Sequence, residues 1–107
     1  MKVLKFRDNL MPLILSGQKN STWRLFDDKS LIVGDEIELK VFGTNDKFAE
    51  AKIIKVVEKR FGDLTDNDKE GHEQFKDDSE MYSTYSDYYH LPVDSDTLVK
   101  IIWFELR

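Results

Sequence analysis

The C-terminal segment limits the fold more than any other part of the chain. Residues 97–106 are rich in β-branched and aromatic side chains and are apolar on both faces of an extended chain. A strand that is buried on both faces belongs in the middle of a sheet. Further strand patterns occupy residues 2–7, 21–25, 36–42 and 47 to about 59, the last with a predicted bulge at Ile53 and Ile54. We therefore predict a sheet in which the last strand is central.

Two segments have helical signals. The first covers residues 10–16, with Asp8 or Asn9 as the predicted cap and Gly17 as the stop. The second covers residues 78–89, where Asp77 and Glu80 match a capping box. We expect His90 to end this helix, and we expect one stripe of it to face the sheet, formed by Met81, Tyr85 and Tyr88.

This order of elements predicts an α+β fold. A small sheet of five or six strands closes most compactly as a β-barrel, here with two or three flanking helices. The length of 107 residues suits a single domain over residues 1–107. A polar loop, Asp27-Asp28-Lys29, is predicted between the second and third strands.

Composition excludes several functional classes. The sequence has no cysteine, so disulfides, zinc ribbons and thiol catalysis are ruled out. Its apolar runs are far shorter than the roughly 20 residues of a membrane-spanning helix. Because no secretory signal pattern opens the chain, we expect a cytoplasmic protein without membrane association.

Charge is unevenly distributed along the chain. The formal net charge is −5 overall, but residues 61–96 alone carry eleven acids against two lysines. Residues 1–60 have an excess of bases, twelve against nine acids. The acidic segment is either a solvated surface or a device that repels long polyanions.

The segment from Ser16 to Leu25 contains the residues best suited to chemistry. In an extended chain Asn20, Thr22 and Arg24 project to one face. Trp23 and Leu25 project to the other, where we expect them to fill the barrel. A lysine in the preceding turn, Lys19, can join the first group, so that an amine, a hydroxyl and a guanidinium converge.

The same segment resembles a known family. The run G-x-K-x-S-T-x-R at residues 17–24, together with Val33-Gly34-Asp35, is similar to the ASCH domain family, which is related to the PUA RNA-binding domains. The resemblance continues in Gly62-Asp63-Leu64-Thr65-Asp66, in Glu70-Gly71-His72-Glu73 and in the last strand. It implies a PUA-like β-barrel with a cleft between barrel and helices, and a role with RNA, nucleotides or modified nucleosides.

The resemblance also implies an activity. Small bacterial members of the family are N4-acetylcytidine amidohydrolases, which need no metal or other cofactor. By their pattern Lys19 is the base, Thr22 the nucleophile and Glu73 the acid. Glu70 is the alternative to Glu73, because it precedes Gly71 as a glutamate does in the family pattern.

Other polar and aromatic residues are predicted to contact the ligand. Tyr82 and Tyr89 lie one heptad apart and can stack on a base. His72, near Glu70 and Glu73, lacks the paired histidines one turn apart of catalytic zinc helices, which disfavours a metal site. The full predicted binding set is Asn20, Arg24, Glu70, His72, Tyr82 and Tyr89.

Three classes of function are considered for these residues. The first is a protein that binds a modified pyrimidine nucleoside or a single-stranded RNA end and hydrolyses the N4-acetyl amide. The second is a non-catalytic RNA-binding regulatory module, and a protein-interaction adaptor forms a third class. The net charge of −5 favours the first over the second, because an extended RNA surface needs clustered basic residues.

Overall fold

A computed structural model describes residues 1–26 and 29–107. The predicted loop positions Asp27 and Asp28 lie outside the described residues. The strands are β1 (Lys2–Phe6), β2 (Ser21–Arg24), β3 (Glu36–Val41), β4 (Lys47–Arg60) and β5 (Leu98–Leu106). The helices are α1 (Met11–Leu15), α2 (Asp66–Lys69) and α3 (Asp78–Tyr89), with 3-10 turns at Asp8–Leu10 and Phe61–Asp63. Within the described ranges, no helix is long and apolar enough to cross a membrane.

The five strands form one mixed sheet in the order β1-β3-β4-β5-β2. β1 runs parallel to β3, and the other neighbours are antiparallel. β5 is flanked by β4 and β2, so it is not an edge strand, but the middle of the sheet is β4 and not β5 as predicted. The register shifts between Ile53 and Lys55, where the bulge was predicted.

The sheet curls until its two edge strands approach each other. The Arg24 guanidinium on β2 donates a hydrogen bond to the Lys5 carbonyl on β1, with Nη2 and O 3.1 Å apart. The rings of Phe6 and Phe104, on strands that are not neighbours in the sheet, are 6.1 Å apart. The architecture is a half-barrel with short helices packed against it, which confirms the predicted small α+β fold.

The side chains on the two faces of β5 pack into two separate hydrophobic cores. Ile102 and Phe104 join the core inside the curl, while Ile101 joins a second core between the sheet and α3. Trp23 belongs to this second core, because it pairs with Ile101 across the ladder and cross-strand partners share a face. Leu25 packs against the same core. The expectation that Trp23 and Leu25 fill the barrel is therefore wrong, although Trp23 is buried.

The first helix differs from its prediction. The α-helical part begins at Met11, after a 3-10 turn, and neither Asp8 nor Asn9 caps it with a side chain. Pro12 supplies the fixed φ of the first turn in place of a cap. At the other end Gly17 has φ +84°, the left-handed conformation that stops the helix.

The second predicted helix, α3, has the predicted bounds. The Asp77 carboxylate accepts the Glu80 N–H at 2.8 Å, but the Glu80 carboxylate accepts from Lys76, so the capping box is incomplete. His90 ends the helix at φ +56°. Tyr88 is 41% exposed, which corrects the predicted stripe to Met81 and Tyr85.

Candidate functional site

Two distant segments of the chain are joined at the start of β2. The Lys19 N–H donates to the Leu13 carbonyl at 3.0 Å, which turns the chain back from α1. The next two N–H groups, of Asn20 and Ser21, both donate to the Gly71 carbonyl, at 2.9 and 3.1 Å. The segment after α2 is thereby fixed beside β2, which brings residues 70–73 to the predicted lysine and threonine.

Lys19 and Glu73 form an ion pair. Lys19 Nζ lies 2.6 Å from Glu73 Oε2, and the lysine side chain is 3% exposed against 26% for the glutamate. Burial lowers the pKa of Lys19, the Glu73 carboxylate opposes this, and the Arg24 charge lowers it further. Burial raises the pKa of Glu73, but the Lys19 charge and the hydrogen bonds that the carboxylate accepts act against it, and the net direction is down. Lys19 and Glu73 therefore form a charged pair in which the ammonium has lost most of its hydration and is stabilised by the carboxylate.

Thr22 is paired with Arg24. The Arg24 Nε–H donates to Thr22 Oγ1 at 3.1 Å, and Thr22 is buried at 4% exposure. The guanidinium also lies over the Phe6 ring, with its carbon 5.0 Å from the centroid. Since the bond to Arg24 uses a lone pair of the hydroxyl oxygen, the Thr22 proton remains free to be donated.

His72 is neutral and its tautomer is fixed by its partners. Nδ1 lies 2.8 Å from the Glu73 carbonyl, which can only accept, so Nδ1 carries the proton. Nε2 must then accept the Tyr85 hydroxyl at 3.1 Å. Burial, followed by the Lys19 charge, lowers the pKa of His72 to about 4. The ring also stacks on Trp23, with centroids 3.9 Å apart, so this histidine holds the backbone of Glu73 in place.

These side chains line one cavity of about 200 Å³ between the β1 and β2 edges and α3. Of the predicted site residues, the structure brings six together there. They are Lys19, Thr22, Arg24, His72, Glu73 and Tyr89.

Three predicted residues lie elsewhere. The exposed Asn20 side chain lies against Gly71, where an added Cβ would fall 1.7 Å from Asn20 Oδ1. The Glu70 side chain is exposed to a second groove of about 600 Å³, which shares His72 and Glu73 with the cavity. Tyr82 packs on Phe61, with ring centroids 5.9 Å apart. The prediction of ligand contacts by Asn20, Glu70 and Tyr82 does not match this cavity. The Asn20 backbone pairs with its neighbours, the Glu70 carbonyl accepts hydrogen bonds from the Ser21 and Trp103 side chains, and Tyr82 packs in the second core.

The cavity also contains residues that sequence reasoning missed. Arg7 and Phe42 follow β1 and β3, and Tyr88 follows Tyr85 by less than one helical turn. The position of Tyr88 directly before Tyr89 in the sequence is a signal that could have indicated it as a cavity residue. Arg7 and Phe42 could not, because no local pattern shows that the edges of the sheet approach each other.

Metal ligation finds no support in the described residues. Across residues 1–26 and 29–107, no three His, Asp or Glu side chains are grouped so that they could hold a metal ion. Four polar side chains of the cavity are instead bound to one another, Lys19 to Glu73 and Arg24 to Thr22.

Similarity to known proteins is found at the level of structure. No protein-family model and no curated protein sequence matches the chain. A protein from Enterococcus faecalis, described by the family name DUF984, aligns with a TM-score of 0.78 and 18% identity over 98% of this chain and 78% of its own. An ASCH domain from Lactobacillus crispatus aligns with a TM-score of 0.72 and 12% identity, over 98% of this chain and 79% of its own.

A third solved structure is ASCH from Zymomonas mobilis. Its TM-score is 0.66 at 13% identity, and the alignment covers 96% of this chain and 65% of that one. These alignments confirm the ASCH resemblance as a likeness of fold: the chain has the fold of the ASCH domain structures.

Proposed function

We propose that residues 1–107 act as one ASCH domain that hydrolyses the N4-acetyl amide of an acetylated cytidine without a metal ion. One observation supports this most: the buried Lys19–Glu73 ion pair lines the same cavity as the Thr22–Arg24 pair. Amide hydrolysis needs a nucleophile, a proton carrier for the leaving amine and a stabiliser of the oxyanion. The four side chains supply these groups.

Thr22 is the nucleophile in this proposal. Its oxygen already accepts a hydrogen bond from the Arg24 guanidinium at 3.1 Å, and a cation at that distance stabilises the alkoxide that forms as the proton leaves. Arg24 has further N–H groups that can donate to the carbonyl oxygen of the acetyl group as it becomes an oxyanion.

Lys19 and Glu73 carry the protons. Lys19 first passes a proton to Glu73 along their 2.6 Å hydrogen bond. Burial, which lowers the lysine pKa, favours this transfer, and the lowered pKa of Glu73 opposes it, so the charged pair is the resting state and the neutral amine forms during the reaction. The amine then removes the Thr22 proton as Oγ1 attacks the acetyl carbon. When the tetrahedral intermediate collapses, the C–N4 bond breaks and Lys19 returns that proton to N4.

A water molecule completes the cycle. It attacks the acetyl-threonine ester, Lys19 accepts its proton, and the ester C–O bond breaks to release acetic acid. Lys19 returns this proton to Thr22 Oγ1 and recovers its own proton from Glu73. The products are cytidine and acetic acid, which loses its proton to water as acetate, and every side chain regains its starting charge.

The surroundings of the cavity fit a pyrimidine nucleoside. A volume of about 200 Å³ is small, and three tyrosines, Tyr85, Tyr88 and Tyr89, form part of its wall. Aromatic faces of this kind stack on a base without sequence-specific contacts. If the nucleoside were part of an extended polymer, the rest of that polymer would have to lie outside the mouth of the cavity.

The test is incubation of the purified protein with N4-acetylcytidine and chromatographic detection of cytidine. We expect turnover by the wild type and by Thr22→Ser, which keeps the hydroxyl. Thr22→Ala should lose at least about 100-fold in rate. Wild-type protein that releases no cytidine, or Thr22→Ala that retains the full rate, would refute the hydrolytic function.

A non-catalytic RNA-binding module is the second candidate. It is favoured by the exposed aromatics at the mouth, with Phe42 at 61% and Tyr88 at 41% exposure. Such a module should bind single-stranded RNA with an affinity whose logarithm falls against log salt by about 0.7 for each phosphate contacted. Steeply salt-dependent binding without cytidine release would favour this candidate.

A further inference from the structure

The cavity carries positive charge in an acidic protein. Its wall holds four cationic side chains, Lys5, Arg7, Lys19 and Arg24, and one carboxylate, Glu73, a formal charge of +3. The whole chain has a net charge of −5. Since Glu73 is already bound to Lys19, both arginines face the cavity without a carboxylate partner among the described residues.

The two arginines lie at different places in the cavity. Arg24 is bound to Thr22 at the reactive end. Arg7 is an exposed residue at the mouth, where its guanidinium carbon lies 4.7 Å from the ring centroid of Tyr88 and 5.4 Å from that of Phe42. Its planar face is therefore held by aromatic rings, while its N–H fork remains available to an anion.

We infer that the mouth of the cavity is a phosphate site, in which Arg7 binds the phosphate ester of a nucleotide whose base occupies the cavity. This inference rests on the proposed function and narrows its substrate from a free nucleoside to a phosphorylated one. Thr22 is buried in the cavity and Arg7 is exposed at its mouth, so a ligand with an acyl amide at one end and a phosphate at the other would place the amide inside and the phosphate outside. The rings of Tyr88 and Phe42 restrict the rotamers of Arg7, which reduces the entropy lost on binding.

The test compares cytidine with cytidine 5′-monophosphate by isothermal titration calorimetry. We expect the monophosphate to bind roughly 10- to 100-fold more tightly, as for a charge-assisted hydrogen bond. Arg7→Gln should abolish this difference by weakening the binding of the monophosphate, while Arg7→Lys should keep part of it. Arg60→Gln, which removes an exposed arginine away from the cavity, is the matched control and should behave as the wild type.

The source of the phosphate is decided with a short RNA that ends in a 5′-phosphorylated cytidine. Binding as tight as that of the monophosphate indicates an RNA end, and much weaker binding indicates a free nucleotide. Both results support the phosphate site, provided that Arg7→Gln weakens the binding of whichever ligand binds more tightly.

Three results separate this inference from the proposed function. Release of cytidine from N4-acetylcytidine, with equal affinity for cytidine and its monophosphate, would overturn the phosphate site and leave the hydrolysis intact. Arg7-dependent binding of the monophosphate without hydrolysis would support the site and refute the hydrolysis. Absence of any nucleotide binding would overturn the phosphate site, whatever the outcome of the hydrolysis assay.

Discussion

The His72 side chain accepts a hydrogen bond from Tyr85, with Nε2 and Oη 3.1 Å apart. This bond completes a chain of contacts from α3 through His72 to the backbone of Glu73. Tyr85, which the sequence analysis assigned only to packing, thereby helps to position Glu73.

Removal of that hydroxyl should destabilise the fold. Tyr85→Phe leaves the buried Nε2 acceptor without a donor, and we expect a loss of about 1 to 3 kcal/mol in the free energy of unfolding. Urea denaturation monitored by fluorescence measures it. Tyr88→Phe is the control, because Tyr88 is 41% exposed and should change the free energy by less than about 0.5 kcal/mol. Equal effects of the two substitutions would mean that the Tyr85 hydroxyl does not contribute to the free energy of unfolding.

Regular elements of this fold can be predicted from local patterns. Strand β5 and helix α3 follow from β-branched content and from the Asp77 cap, which depend only on neighbouring residues. The face occupied by Trp23 depends instead on its pairing with Ile101, almost eighty residues away. No local pattern contains that pairing.

The candidate site also contains a part that local sequence predicts and a part that it does not. Lys19, Thr22 and Arg24 lie close together in sequence, and strand alternation puts the last two on one face. The choice between Glu73 and Glu70 depends on how Gly71 docks on the N–H groups of Asn20 and Ser21, which only the folded chain shows.

Stability should depend on pH through His72. Its pKa is about 4 in the folded protein, against an ordinary value of 6.5, so the unfolded chain binds more protons between these values. The stabilisation is therefore complete above pH 6.5 and is lost as the pH falls towards 4. The change between pH 7 and pH 4 is about 3 kcal/mol.

Urea denaturation across this range, compared with His72→Gln, measures the effect. The variant should be less stable at pH 7 and should show a flatter pH profile. Parallel profiles for the two proteins would show that His72 is not held neutral by the fold. Acidic groups such as Asp68, whose pKa is lowered in the folded protein, act in the same direction but at lower pH.

The two tryptophans should differ in their contribution to stability. Trp23 is 3% exposed and stacks on His72, so Trp23→Ala should cost roughly 3 to 5 kcal/mol as a large core truncation. Trp103 is only partly buried and lies under the Lys55 ammonium, 4.8 Å from its ring centroid. We expect Trp103→Ala to cost about half as much or less. Chemical denaturation of both variants measures the difference, and a larger loss for Trp103→Ala would contradict the assignment of Trp23 to the second core.

The central claim is that the Lys19–Glu73 pair carries protons for amide hydrolysis. Its most direct test is the rate of cytidine release from N4-acetylcytidine by the wild type, Glu73→Gln and Glu70→Gln, each checked for folding by circular dichroism. Glu73→Gln should lower the rate by about 100-fold or more, and Glu70→Gln, whose side chain faces the other groove, should leave it within about twofold of the wild type. A full rate for Glu73→Gln, or a loss confined to Glu70→Gln, would contradict the account.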